Sequence, residues 1–306
     1  MLRPFTLHRP ATAEAACALL AELGEDAAVY AGGTELLLLM KLGLLRPRHL
    51  VDIKRIGELS DITDGPRLAI GAAVTHRTVE RSPLVQTRCP LVGSVACHVA
   101  NVRVRNVGTV GGNLAFADPH SDLATLFLTL DAVVELVSPR GRRELPLAEF
   151  VRGPWETTRS ADELLVSVRL APWPRESAAA YVKFGVHERP TLAVAVMLSL
   201  DVGRAAGGEG RIVGARLAVG CVGPRPIRVP AAEAALTGAS PAAVEEAARA
   251  AGDAAAAVID AADDLYGSAD YKRDMVAVFV RRAVRIAAAR ARGVEPAEQF
   301  PHAVVA

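Results

Sequence analysis

Two glycine pairs, each with a threonine beside it, constrain this chain more than any other feature: Ala31-Gly32-Gly33-Thr34-Glu35 and Thr109-Val110-Gly111-Gly112-Asn113. The first lies between residues 27–30, which read as a short strand, and the apolar segment 36–45, which reads as a buried helix. A glycine turn at such a junction lets backbone N–H groups converge on an anion, because glycine tolerates positive φ and carries no Cβ. One isolated Gly-Gly is more often a tight turn without a ligand. Two of them facing each other can neutralise a pyrophosphate without Lys or Arg. The chain has neither GxxxxGK[ST] nor GxGxxG, which argues against a P-loop or a Rossmann site. A dinucleotide bound here needs another fold.

The chain's 306 residues, 51% of them hydrophobic, are too many for one small core and suit two or three packed units. Residues 12–24 have helical apolar spacing and stop at Gly24, residues 50–53 read as a second strand, and 67–74 continue extended. Helices are predicted from residue 75 and over 90–100. The segment Asp118-Pro119-His120-Ser121-Asp122 has capping chemistry before the apolar run 123–130, and 132–137 is β-branched. The N-terminal half is therefore α/β or α+β. Pro172-Trp173-Pro174 reads as a hinge, and strands follow at 193–201 and 212–222, joined by the glycine-rich turn 203–210. The remainder reads as helices over 230–236, 240–262 and 271–292, with Ser240 as a cap and Pro241 at the first helical position.

Lys+Arg 35 against Asp+Glu 34 leaves no electrostatic footprint for nucleic acid. Arginines 281, 282, 285, 290 and 292 lie on an apolar-periodic helix and read as a solvated or interface face. Cysteines at 17, 89, 97 and 221 are too dispersed for zinc or an iron–sulfur cluster. Asp118, His120 and Asp122 have metal-like spacing but lack a fourth ligand, so no metal is expected. With no signal-peptide pattern at Met1-Leu2-Arg3-Pro4-Phe5 and no apolar run of about 18 residues, a cytoplasmic location and no membrane span are expected.

The ordered segments AGGTELLLLMKLG (31–43), VRNVGTVGGNLAFADPHSDLATLFLTLDA (104–132), DELLVSVRL (162–170), YVKF (181–184) and GSADYKRDM (267–275) resemble the FAD-binding medium subunit of molybdenum hydroxylases, the carbon monoxide dehydrogenase and xanthine dehydrogenase type. The resemblance runs from about residue 3 to about residue 295. It implies an α+β fold: a vanillyl-alcohol-oxidase-type FAD-binding domain of two α/β subdomains (about 1–56 and 57–175), then a C-terminal domain (176–306) of a small antiparallel sheet and helices.

The same resemblance implies noncovalent FAD, with Ala31, Gly32, Gly33, Thr34 and Glu35 as a first pyrophosphate loop and Leu36 opening its helix. Thr109, Val110, Gly111, Gly112 and Asn113 match a second loop. Asp122 matches an aspartate that bonds the ribose or ribityl region, Leu165 an apolar residue near the flavin ring, and Lys183 a basic residue near the isoalloxazine. Thr191 stands where many relatives carry an Asp after YxK, within His187-Glu188-Arg189-Pro190-Thr191. Among histidines, His76 and His120 are the candidates for covalent flavin attachment, which the molybdenum hydroxylase branch does not use. The implied partners are an iron–sulfur small subunit with [2Fe–2S] clusters and a molybdopterin large subunit, in a doubled heterotrimer. The four cysteines exclude the extra cluster of the hydroxybenzoyl-CoA reductase branch. The alternative is a self-contained FAD-dependent oxidase.

Overall fold

The computed structural model describes residues 2–185, 189–201, 210–296 and 300–306. The chain divides into two compact units, one of residues 1–118 and 131–172, the other of 119–130 and 173–306.

In the first unit a three-stranded parallel sheet runs Thr6–His8, His49–Asp52, Ala27–Tyr30 across its width. A five-stranded antiparallel sheet orders Ile62–Thr63, Leu68–Gly71, Leu164–Leu170, Val133–Ser138 and Gly141–Pro146. The helix Ala13–Leu23, capped by Thr12, buries Ala13, Ala16, Cys17 and Leu20 in one core with Val51 of the parallel sheet and Val137, Leu164 and Val166 of the antiparallel one. The stretches read as two subdomains thus share a core. Gly141–Pro146 escaped the sequence reading because it is an edge strand whose Arg142, Arg143 and Glu144 are exposed, and charge is how edges resist further pairing.

The segment after the first glycine pair departs from expectation. Only Met40 is buried in the helix Leu36–Leu42, while Leu38, Leu42, Leu44 and Leu45 are exposed. An uninterrupted leucine run has no 3.6-residue period, so its sequence did not distinguish a buried helix from a surface one.

The second unit is built on a five-stranded antiparallel sheet in the order Ile227–Arg228, Arg211–Gly220, Leu192–Asp201, Ser177–Phe184, Ala303–Val305. Strand alternation separates its two faces. Ala180, Val182, Val194, Val196, Leu217 and Val219 join a core with the helices Pro230–Leu236, Val244–Val258 and Ala269–Ala291. Tyr181 and Lys183 alternate to the other face, where they meet Asp122 at the start of the helix Asp122–Thr129. That helix is inserted from the middle of the first unit's sequence, and the main division of the chain falls at 172/173, beside the expected 175/176.

The predicted turn 203–210 lies outside the described residues except for Gly210, as do His187 and Glu188. In the GSADYKRDM segment, Ser268 caps the long helix and Lys272, 1% exposed, donates to the Ala262 carbonyl at 2.8 Å. The arginines of that helix make surface contacts: Arg285 pairs with Glu245, and Arg282 lies over the Phe279 and Phe300 rings. No helix among the described residues is long and apolar enough to cross a membrane.

Candidate functional site

The two glycine motifs meet in the first unit. A Cβ on Gly32 would lie 2.2 Å from the Val107 carbonyl oxygen and 2.8 Å from Gly108 Cα, so only a glycine lets the first loop rest on the backbone leading into the second. Gly33 has φ +73°, and a Cβ there would sit 2.6 Å from the Tyr30 ring. Ala31, Gly32, Gly33, Thr34, Glu35 and Leu36 are all partly exposed. The helix after them starts at Leu36 with no side-chain cap bond from Glu35, and its Leu37 N–H donates to the Gly33 carbonyl at 3.0 Å. A partly exposed loop whose glycines leave no room for a Cβ fits the close approach of an anion.

The second motif is not a matching nest. Thr109, buried, is the N-cap of the helix Val110–Phe116, so the glycine pair falls inside the first helical turn rather than before it. Its amides are already used: Val110 donates to the Val74 carbonyl at 2.9 Å, Gly111 to the Ala72 carbonyl at 2.9 Å, and Asn113 to the Thr109 carbonyl at 2.9 Å. Gly112 donates to Thr109 Oγ1 at 3.0 Å. The expectation of two facing sets of amide donors is therefore corrected: each of these four amides already has an acceptor within the protein. Ala72 in turn donates to the Val166 carbonyl at 2.8 Å, which fixes the motif to the antiparallel sheet beside Leu165. Leu165 itself is buried, opposite Leu136 in the strand register.

Beneath the second motif lies His76, 2% exposed, whose backbone N–H donates to the Gly108 carbonyl at 3.0 Å. Its Nδ1 has no hydrogen-bond partner among the described residues. Burial, and then the Arg105 charge, lower its pKa from 6.5 to about 4. The folded state therefore holds a neutral imidazole where the unfolded chain would take up a proton below pH 6.5, and stability is lost as the pH falls from there toward 4. Denaturant unfolding at pH 7 and at about pH 4.5 should show the parent losing up to about 3 kcal/mol more than His76→Gln. Equal losses in the two proteins would remove His76 as the cause. His120, the other histidine considered for flavin attachment, lies with its ring 5.2 Å from that of Tyr266.

Asp122 and Lys183, read from the sequence as two separate contacts, are brought together in the second unit. Asp122 Oδ2 accepts from Lys183 Nζ at 2.9 Å, and Oδ1 accepts from the Tyr181 hydroxyl at 2.6 Å. Asp122 and Lys183 are each 5% exposed and Tyr181 1%. Lys183 is accordingly neither a solvated surface lysine nor a lone cation. Burial, then the neighbouring carboxylate, push the Tyr181 phenol well above its ordinary range, so it stays a donor. Asp122 also occupies the first turn of its helix, where a negative charge is favoured. Tyr181 belongs to the YVKF motif without an expected role; the two-residue spacing to Lys183 puts both on one face of a strand.

Residues 3–173 match the family model of the FAD binding domain in molybdopterin dehydrogenase, and residues 180–287 match that of the CO dehydrogenase flavoprotein C-terminal domain. The carbon monoxide dehydrogenase medium chain of Hydrogenophaga pseudoflava is 37% identical over 94% of this chain and 98% of its own length. The nicotine 6-hydroxylase medium subunit of Paenarthrobacter nicotinovorans is 34% identical over 92% of this chain and 96% of its own. Among solved structures, carbon monoxide dehydrogenase from Hydrogenophaga pseudoflava superposes with a TM-score of 0.87 at 38% identity, covering 95% of this chain and 99% of that one. Quinoline 2-oxidoreductase from Pseudomonas putida 86 does so at 0.87 and 30% identity, with the same coverage. Two family models that together span most of the chain, and relatives matched over almost their whole length, place this protein among the FAD-binding medium subunits of the molybdenum hydroxylases.

Proposed function

We propose that this chain is the flavin relay of a molybdenum hydroxylase complex, receiving electrons from a [2Fe–2S] chain and passing them to an external acceptor, while a molybdopterin chain oxidises the substrate. The observation that carries this is the meeting of the two glycine motifs, Gly32 against Val107 and Gly108, in a chain of the flavoprotein family. FAD, when bound, supplies the step between two-electron and one-electron chemistry.

The chain's own residues have distinct tasks in this reading. The amides of the loop Ala31, Gly32, Gly33, Thr34, Glu35 and Leu36 hold the pyrophosphate. Thr109, Val110, Gly111, Gly112 and Asn113 form the second loop beside it, with Gly112 at the surface. Asp122 accepts a hydroxyl of the ribose or ribityl chain, Leu165 supplies apolar packing toward the ring system, and Lys183 keeps the buried Asp122 charge compensated. The partners are the iron–sulfur and molybdopterin chains, in a doubled heterotrimer in the cytoplasm. The four dispersed cysteines leave the clusters to the partner, since a [2Fe–2S] centre needs about four close thiolates.

Acid precipitation of the yellow protein tests the cofactor side of the reading. The supernatant should carry one FAD per chain. Flavin that stays in the pellet is covalently attached, and a colourless protein that cannot be reconstituted with FAD is not a flavoprotein.

A further inference from the structure

The Asp122 carboxylate has more holding it than charge balance requires. Lys183 already supplies a positive charge at 2.9 Å on one oxygen, in a site where each partner is 5% exposed. Tyr181 adds a donor at 2.6 Å on the other oxygen, and a phenylalanine would fill nearly the same space without burying a hydroxyl. What a second donor on the second oxygen adds is direction: with one partner on each oxygen, the carboxylate cannot turn about its Cβ–Cγ bond. The remaining lone pairs of a carboxylate, about four sites in all, are then aimed one way.

Tyr181 is itself fixed by backbone on both sides. It lies opposite Ala195 in the register of the neighbouring strand, its N–H donates to the Ala306 carbonyl at 2.9 Å, and its carbonyl accepts from Ala306 N at 2.8 Å. A ligand group held on a strand by such a support is pre-set before the ligand arrives, and the cost of orienting it is met in folding rather than in binding.

We propose that Tyr181 is a positioning residue that holds the Asp122 carboxylate as a ready acceptor for a hydroxyl of the bound dinucleotide. The assignment rests on the flavin-binding reading given above. It differs from a packing role in what it predicts for affinity, because a side chain that merely fills the core contributes equally with and without the cofactor.

The test is FAD titration of the deflavinated chain, with flavin fluorescence as the signal, for the parent, Tyr181→Phe, Asp122→Ala and the double variant. Tyr181→Phe should raise the Kd by several-fold to about tenfold, because binding must then also immobilise a carboxylate free to turn. Once Asp122 is Ala, adding Tyr181→Phe should change the Kd no further. An unchanged Kd in Tyr181→Phe, whatever its melting temperature, overturns the proposal, and so does a further loss in the double variant. If Tyr181→Phe does not fold, Tyr181→Leu replaces it, beside Tyr181→His, which keeps a ring N–H donor: full retention of the parent Kd in a folded Tyr181→Leu overturns the proposal equally. A parent chain that binds no FAD is a different result, because it removes the flavin reading on which the proposal stands.

Discussion

Lys183→Met is expected to be among the most damaging single substitutions in this protein, lowering stability by about 3–5 kcal/mol, the range for breaking a buried ion pair from one side. Lys183 lies on the sheet face covered by the inserted helix, 2.9 Å from Asp122 Oδ2, and methionine fills its volume but not its charge. The Asp122 carboxylate, 5% exposed, keeps the Tyr181 hydroxyl but loses its positive partner, and desolvating a charge without an opposite partner is what makes such a change severe. Thermal unfolding followed by circular dichroism measures it. The same Lys183→Met placed on Asp122→Asn should be far milder, because no charge is then stranded. Equal damage in both backgrounds would mean that Lys183 contributes by packing alone. The pairing also alters the expected effect on the flavin: a reduction potential lowered in Lys183→Met would trace to the uncompensated Asp122 charge, and the double variant should restore it.

Gly32→Val should prevent the first unit from closing. Its Cβ would fall 2.2 Å from a backbone oxygen at Val107 and 2.8 Å from Gly108 Cα, neither of which is a movable side-chain end. Overpacking ordinarily costs about 1–3 kcal/mol where side chains can shift, and here backbone meets backbone, so the loss should exceed that range. Gly111→Val belongs to the same class, with Ala72 Cβ at 2.4 Å and the Ala72 carbonyl oxygen at 2.7 Å. Both variants should lose flavin because the loops no longer meet, and should also melt early. The glycines are needed first for loop against loop and loop against sheet. Gly112→Ala is the informative contrast: its Cβ would meet only Thr109 Oγ1, at 2.8 Å, on an exposed surface. It should keep the fold far better than Gly32→Val. Gly32→Val with the parent's melting temperature would contradict the described contact between the loops.

Local signals in the sequence were read well where they are local in physics. Thr12 and Ser121 cap the helices expected after them, and the β-branched run before Ser138 forms a strand. The long C-terminal helix, expected over 271–292, begins two residues earlier because Ser268 caps it. What pattern reading could not supply was the destination of each group. The ordered motifs placed Asp122 and Lys183 on one list, yet 61 residues separate them and only the packing of a helix on a particular sheet face reveals that they bind each other. The glycine pair at 111–112 looked like a loop because Gly-Gly disfavours helix, whereas Thr109 captures the Gly112 amide and starts a helix through it. The strand Ser177–Phe184 was visible only as a motif, since its two faces are both buried and show no apolar–polar alternation.

The relay assignment is tested most directly by asking what can reduce the flavin of the isolated chain. Under anaerobic conditions dithionite should bleach the FAD-loaded chain and an added dye should reoxidise it, while oxidisable substrates of the molybdenum hydroxylase class leave it yellow until the iron–sulfur and molybdopterin chains are added. Bleaching of the lone chain by such a substrate would contradict the account and identify the protein as a self-contained oxidase.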